Sequence, residues 1–206
     1  MKPIKYRDMQ DELRHLRELA LVDEASRLLR ESNYADLNMD TLAEKVGISK
    51  KTLYQHFRTR DELIAQVLLK GFQALEAELA TVADSAPLVQ IEHIMRVYLR
   101  ERYFPNSILA SIGPEIIVRL KHSNDEVRQG MQHFQAIMSR IVDEAKRRGD
   151  IRLDLNSQII VRSMFCLAGV LNEIPPQSTT DTTPYDLHQA IEDVIRLFLS
   201  GVVVHP

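Results

Sequence analysis

The sequence predicts an all-α fold: a small N-terminal three-helix unit followed by a larger helical domain. Three observations carry that prediction. Apolar residues recur at three-and-four spacing almost end to end, and no period-two alternation of useful length interrupts them. Helix-starting residues (Asn38, Ser49, Thr59, Pro87) alternate with helix-stopping ones (Asn33, Gly47, Pro105, Gly149). Charge is uneven: residues 1–60 hold twelve Lys/Arg against ten Asp/Glu, and residues 61–206 hold fourteen against nineteen. Such asymmetry assigns different work to the two parts.

The elements follow in order. Leu13, Leu16, Ala20, Leu28 and Leu29 give a first helix its apolar spacing, which stops near Asn33. The side-chain oxygen of Asn38 can cap a short second helix, "MDTLAEKV", that Gly47 ends. Ser49 can cap a third, "KKTLYQHF". Thr59 and Glu62 form a capping box that opens a long helix over 60–81. Pro87 starts the next helix and Pro105 stops it; Gly113-Pro114 starts another. Ser123 and Glu126 make a second capping box for a helix running to Gly149. Asp154 or Asn156 can cap an apolar helix reaching Ile174, before Pro175-Pro176. Thr183 with Pro184 opens a last helix, ended by Gly201.

Composition excludes several classes. With 45% apolar and 27% charged residues, the 206-residue chain is globular rather than disordered. Its single cysteine, Cys166, cannot form an intrachain disulfide, and its apolar neighbours predict a buried, inert thiol. The charged N-terminus lacks the apolar core of a secretory signal, and no apolar run approaches the ~18 residues of a membrane span. The expectation is a soluble, cytoplasmic protein with no membrane partner.

The most informative stretch is "VGISKKTLYQHFRTRDEL", residues 46–63. From Lys45 to Arg60 an acidic chain places five cations and no carboxylate. The short helices on either side of Gly47 fit a helix-turn-helix. Ala43 is small where the helices approach, Gly47 suits a turn of positive φ, and Ile48 and Leu53 lock the third helix. Such a unit lays its second motif helix in the DNA major groove. A helix between two rows of phosphates gains from cations, through counterion release, and cannot carry carboxylates towards them.

From "YADLNMDTLAEKVGISKKTLYQHFRTRDEL" the chain resembles the TetR (tetracycline-repressor) family of transcriptional regulators. Tyr34, Leu42, Ala43, Gly47, Ile48, Ser49, Leu53, Tyr54, His56, Phe57, Thr59, Arg60, Asp61 and Leu63 fall in register with the family pattern, over about residues 18–65. Asn33 replaces the usual Gly, Leu37 a usual Thr or Ser, and Arg60 a usual Lys. The resemblance implies that Lys50, Lys51 and Thr52, following the cap Ser49, start a recognition helix facing bases or nearby phosphates. It implies that Tyr54 and His56 touch the backbone, positioning rather than specifying. Gln55 can read an adenine edge. Asn38, Thr41 and Arg60 are expected to bind phosphate, and an N-terminal arm with Lys2, Lys5 and Arg7 is a further candidate, against a solvated tail. The implied division is a DNA-binding domain over 1–64 and an effector-binding and dimerisation domain over 65–206.

The larger part supports that division. Its last two helices carry more apolar surface than one face needs, which suggests packing against a second copy through Ile160, Met164, Leu171, Leu187, Ile191, Val194 and Phe198. Tyr98, Arg102, Tyr103, Ile108, Ile112, Met131, Phe134, Met138 and Phe165 are the candidates to line a pocket for an apolar or aromatic small molecule. Arg102 and Arg119 are candidates to meet an anionic group on it. The expected function is a ligand-responsive repressor, binding a palindromic double-stranded operator as a homodimer and released by a small-molecule effector. An activator or a protein-binding adaptor on the same fold are the alternatives.

An enzyme is not expected. Glu12-Leu13-Arg14-His15 matches one Glu-x-x-His of a di-iron bundle, but the second copy such a site needs is missing from the sequence. Metal-protease, phosphate-loop and Gly-x-Ser-x-Gly motifs are absent as well. Catalytic residues, metal ligands and cofactors are therefore all expected to be none.

Overall fold

Local capping chemistry sets most of the helix boundaries. The computed structural model describes residues 6–104, 107–173 and 186–204. Helix α1 spans Tyr6–Glu31, and the Asn33 Oδ1 that follows accepts the backbone N–H groups of Ala35 (2.8 Å) and Asp36 (3.2 Å), turning the chain. Helix α2, Met39–Val46, is capped by Asn38, whose Oδ1 accepts from the N–H of Asp40 at 2.8 Å. Gly47 closes it at φ 75°, a left-handed conformation that a Cβ disfavours. Helix α3, Lys50–His56, starts under Ser49, whose Oγ accepts the Thr52 N–H at 3.0 Å. In α4, Arg60–Thr81, the Thr59 hydroxyl accepts the Glu62 N–H at 3.1 Å. The Glu62 carboxylate reaches back to the N–H of Arg58 at 2.7 Å, one residue beyond the capping-box partner Thr59.

Helix α5 spans Pro87–Tyr103, with its proline at the first position. Short α6 (Ile108–Ile112) and α7 (Pro114–Ser123) meet at Gly113, φ 81°. Helix α8 spans Asp125–Arg148 and ends at Gly149, φ 80°. Helix α9 is Ser157–Cys166, a 3₁₀ segment covers Leu167–Glu173, and α10 is Leu187–Val202. Among the described residues the extended pairing is an isolated bridge between Ile151 and Val203.

The chain divides into two compact units. The first runs to Gly71 and takes back the stretch that ends at Arg128; the second holds Phe72–Phe104 and the chain from Gln129 onward. Leu21, Leu29, Leu42, Leu53, Leu63, Ile64 and Leu68 are fully buried in the first unit. In the second, Ile91, Ile94, Met95 and Leu99 of α5 pack into one core with Phe134, Met138, Ile160, Met164, Ile191, Ile195 and Phe198. One ion pair ties α5 to α10 there: Arg96 donates through Nε and Nη2 to both oxygens of Glu192 at 2.7 Å, while Nη2 also donates to Glu92 within α5 at 2.7 Å.

Several sequence expectations change. The apolar helix towards Ile174 gives way to a 3₁₀ segment after Cys166. Asn124, rather than Ser123, caps α8 by accepting the Val127 N–H at 3.0 Å; of the two caps expected for α9, Asn156 is the one used. Asp186 caps α10, while Thr183 and Pro184 lie outside the described residues. Gly201 lies inside α10 rather than ending it. Leu13, Leu16 and Ala20 are exposed, because the buried face of α1 is set by Leu21, Val22, Ala25 and Leu29. Cys166 is exposed rather than buried.

Candidate nucleic-acid interface

The recognition-helix candidate is held from three sides. Leu53 and Phe57 are buried beneath α3, and Ser49 caps its start. At its C-terminal end His56 Nδ1 lies 3.1 Å from Glu18 Oε1, with the imidazole only 6% exposed. Partial burial pushes the Glu18 carboxyl up, but the bonds from His56 and Arg14 outweigh it and hold its pKa below the ordinary value. His56 therefore turns inward and braces α3 against α1, which corrects the expected phosphate contact.

Arg60 is also committed internally. Its Nη1 donates to the carbonyls of Tyr34 (3.0 Å), Ala35 (3.2 Å) and Leu37 (3.4 Å), and its guanidinium lies 4.2 Å from the Tyr34 ring centroid. A phosphate contact through this side chain would first have to break that set. Arg119 of α7 joins the same cluster, donating to the Tyr34 hydroxyl at 2.9 Å and to Asp61 at 2.8 Å. The Tyr34 hydroxyl itself donates to Asp61. Arg119 is thus an internal brace of the first unit rather than a ligand-facing cation.

Outward positions remain on α3. Lys50, Lys51, Tyr54 and Gln55 are exposed, and so are Asn38, Thr41 and Ser49; Thr52 is half-buried, its hydroxyl 2.8 Å from that of Ser49. A cleft of about 520 Å³ brings Asn38, Lys50, Tyr54 and Arg60 together with Asp40, Arg58 and Thr59. Thr41, Ser49, Lys51, Thr52 and Gln55 are outside its lining. Asp40, Arg58 and Thr59 escaped the sequence reading of the site. Asp40 accepts a bond from Lys50 Nζ at 2.8 Å and holds that ammonium above its ordinary pKa. Arg58 is exposed on the cleft, and its place in the cationic run was the available signal.

The ligand candidates fall in different units. Ile108 (half-buried) and Ile112 (buried) belong to the first. In the second, Tyr98 meets Phe165 edge-on with ring centroids 4.9 Å apart, and Phe165 lies 6.1 Å from Phe134. Burial pushes the phenols of Tyr98 and Tyr103 up. Met138 is fully buried, Met131 half-buried, and the Arg102 guanidinium sits 5.6 Å from the Tyr103 ring centroid.

The dimer candidates are relocated. Ile160, Met164, Leu171, Ile191, Val194 and Phe198 are buried in the core of the second unit, and Leu187 packs on it. Their excess over one helical face is consumed by α5 and α8 within the same chain. Among the described residues, the large apolar side chains left exposed on these elements are Ile159, Val170 and Leu197, and Cys166 is exposed as well.

Residues 21–67, which include α2, α3 and the cleft beside them but neither Glu18 nor Arg119, match the family model described as bacterial regulatory proteins, tetR family. The match covers about a quarter of the chain, the part that holds the helix-turn-helix. The chain is 22% identical to the fatty acid metabolism regulator protein of Bacillus subtilis over 198 residues, 89% of this chain and 94% of that one. It is 30% identical to the HTH-type transcriptional regulator EthR of Mycobacterium tuberculosis over 80 residues, 39% of this chain and 37% of that one. Among solved structures, a TetR-family transcriptional regulator of Pectobacterium atrosepticum superposes with a TM-score of 0.67 at 21% identity, covering 98% of this chain and 100% of that one. The ketosteroid transcriptional regulator KstR2 of Mycobacterium tuberculosis gives 0.61 at 17% identity, covering 92% and 96%. This chain thus resembles proteins named as regulators. No helix among its described residues is long and apolar enough to cross a membrane.

Proposed function

We propose that this regulator is a repressor that binds a palindromic operator as a homodimer and is released by an apolar small-molecule effector. The observation that carries the reading is the outward face of α3: Lys50, Lys51, Tyr54 and Gln55 stand exposed on a seven-residue helix without a carboxylate. Asn38, Thr41, Ser49, Thr52 and Arg58 flank it as positioning contacts. The domain boundary follows function rather than packing: residues 1–64 read DNA, while α6 and α7 steady them.

The effector is expected among Tyr98, Phe134, Met138 and Phe165, whose aromatic and thioether surfaces suit an apolar body. A fatty acid metabolism regulator among the relatives makes an acyl chain the first ligand to try. Two copies join through the exposed stripe of Ile159, Cys166 and Val170 with Leu197. Release is a population shift: the effector favours a dimer whose α3 helices are wrongly spaced for DNA, and near-complete switching takes about 5.5 kcal/mol of differential affinity.

The test is selection from a randomised duplex pool followed by fluorescence anisotropy across a salt series. A roughly palindromic site should emerge, with affinity falling steeply with salt. Lys50→Ala/Lys51→Ala should lower the salt slope by roughly two. Failure to enrich any site, with wild type binding no better than the variant, rejects the reading. An effector with equal affinity for free and DNA-bound protein rejects the release mechanism.

A further inference from the structure

Helix α1 has two apolar faces, and only one of them is used. On a 3.6-residue helical projection Met9, Leu13, Leu16 and Ala20 fall within about 60° of arc, roughly opposite the buried face set by Leu21, Val22, Ala25 and Leu29. All four residues of the first stripe are exposed, Leu13 at 41% and Leu16 at 54%. The stripe is therefore not an outlying part of the first unit's core. Its spacing is four, three, four, which is the seam of a coiled coil with Leu13 and Ala20 at one core position and Met9 and Leu16 at the other. The next seam position is Asp23, whose carboxylate pairs with Lys70, so the seam stops where the packed part of the helix begins.

We infer that this stripe is an interaction surface for a second copy of the same helix, pairing in parallel. Charge decides the occupant. Glu12 and Arg17 hold the positions that flank the seam on either side, and in a parallel pair each Glu12 meets Arg17 of the other copy. Neither forms an ion pair within the chain among the described residues. The homotypic pair is thus complementary on both flanks. Exposed Leu19 borders the seam and adds apolar area. A seam of two heptads is short, so the pairing is weak and concentration-dependent. It brings together chains, or existing dimers, that are already locally concentrated.

The test is sedimentation equilibrium of the full-length protein over a concentration series without DNA, so that its outcome is independent of operator binding. The weight-average mass of wild type should rise with concentration above that of Leu13→Lys/Leu16→Lys, whose association should weaken by at least about tenfold. Glu12→Arg and Arg17→Glu should each lose association alone and recover it when mixed, because the mixed pair restores both attractions. These charge variants touch only exposed positions, so they report even if the double lysine variant is poorly folded. Leu16→Cys in a Cys166→Ser background should cross-link under mild oxidation, since equivalent seam positions meet in a parallel pair. A wild-type mass that matches the lysine variant, no recovery on mixing, or no cross-link overturns the inference. Vesicles of anionic lipid that bind wild type but not the lysine variant, with no change in mass, would assign the stripe to a lipid surface instead.

Discussion

Lys50 shows how one exposed side chain can be partly neutralised before it meets a partner. Its ammonium rests on Asp40, but both are exposed, so water and salt screen the pair. DNA phosphate can take the lysine away, leaving a carboxylate beside the groove. Asp40→Asn should therefore tighten binding to random-sequence duplex several-fold and steepen the salt dependence by about one phosphate contact, read by anisotropy titration. Arg60 behaves differently, since its three carbonyl bonds and its stacking on Tyr34 are internal. Arg60→Ala should cost about 1–3 kcal/mol in urea unfolding and speed amide exchange at residues 34–38. Glu18 gives the pH prediction. Its folded pKa lies below the ordinary 4.5, so its contribution is full above that value and is lost as pH falls through the depressed one. Glu18→Gln should flatten the acid limb of stability against pH, while His56→Ala should move the loss to higher pH.

Among the elements, what was legible in the sequence was local. Asn38, Gly47, Ser49 and Thr59 act within four residues of themselves, and each boundary they set is where the sequence puts it. Two classes of feature stayed hidden. One is contact across long separations: His56 to Glu18 spans 38 residues and Arg119 to Tyr34 spans 85, so nothing local marks either bond. The other is overlapping periodicity. Leu13, Leu16 and Ala20 share three-and-four spacing with Leu28 and Leu29, yet the two sets face opposite ways once the helix packs. The same ambiguity made buried Ile160 and Met164 look like a surplus until α5 and α8 were seen to cover them. Gly47→Val tests the local class. At φ 75° a β-branched side chain should cost about 1–2 kcal/mol and lower the melting temperature of the first unit by several degrees, although its Cβ would meet no other atom within 4 Å.

At the level of the whole molecule, assembly should depend on the apolar residues left outside the core of the second unit. Val170→Lys with Ile159→Lys should convert a dimer to monomers in sedimentation and abolish operator binding, while leaving the circular-dichroism melt nearly unchanged, because both side chains are exposed. The division of the chain has a further consequence for its history. Two of the three points where the chain passes between the units lie inside helices, at Gly71 in α4 and at Arg128 in α8. A recombination junction near residue 64 or 71 would carry α1, α2 and α3 away from α6, whose Ser111 carbonyl accepts the Tyr34 N–H, and from α7, which supplies Arg119. The DNA-reading segment is therefore not a detachable cassette. Lineages should inherit it with its α6–α7 partner and diverge by point substitution at Lys51, Tyr54 and Gln55, and grafts that omit residues 107–128 should reach a foreign regulator with an unsupported Tyr34.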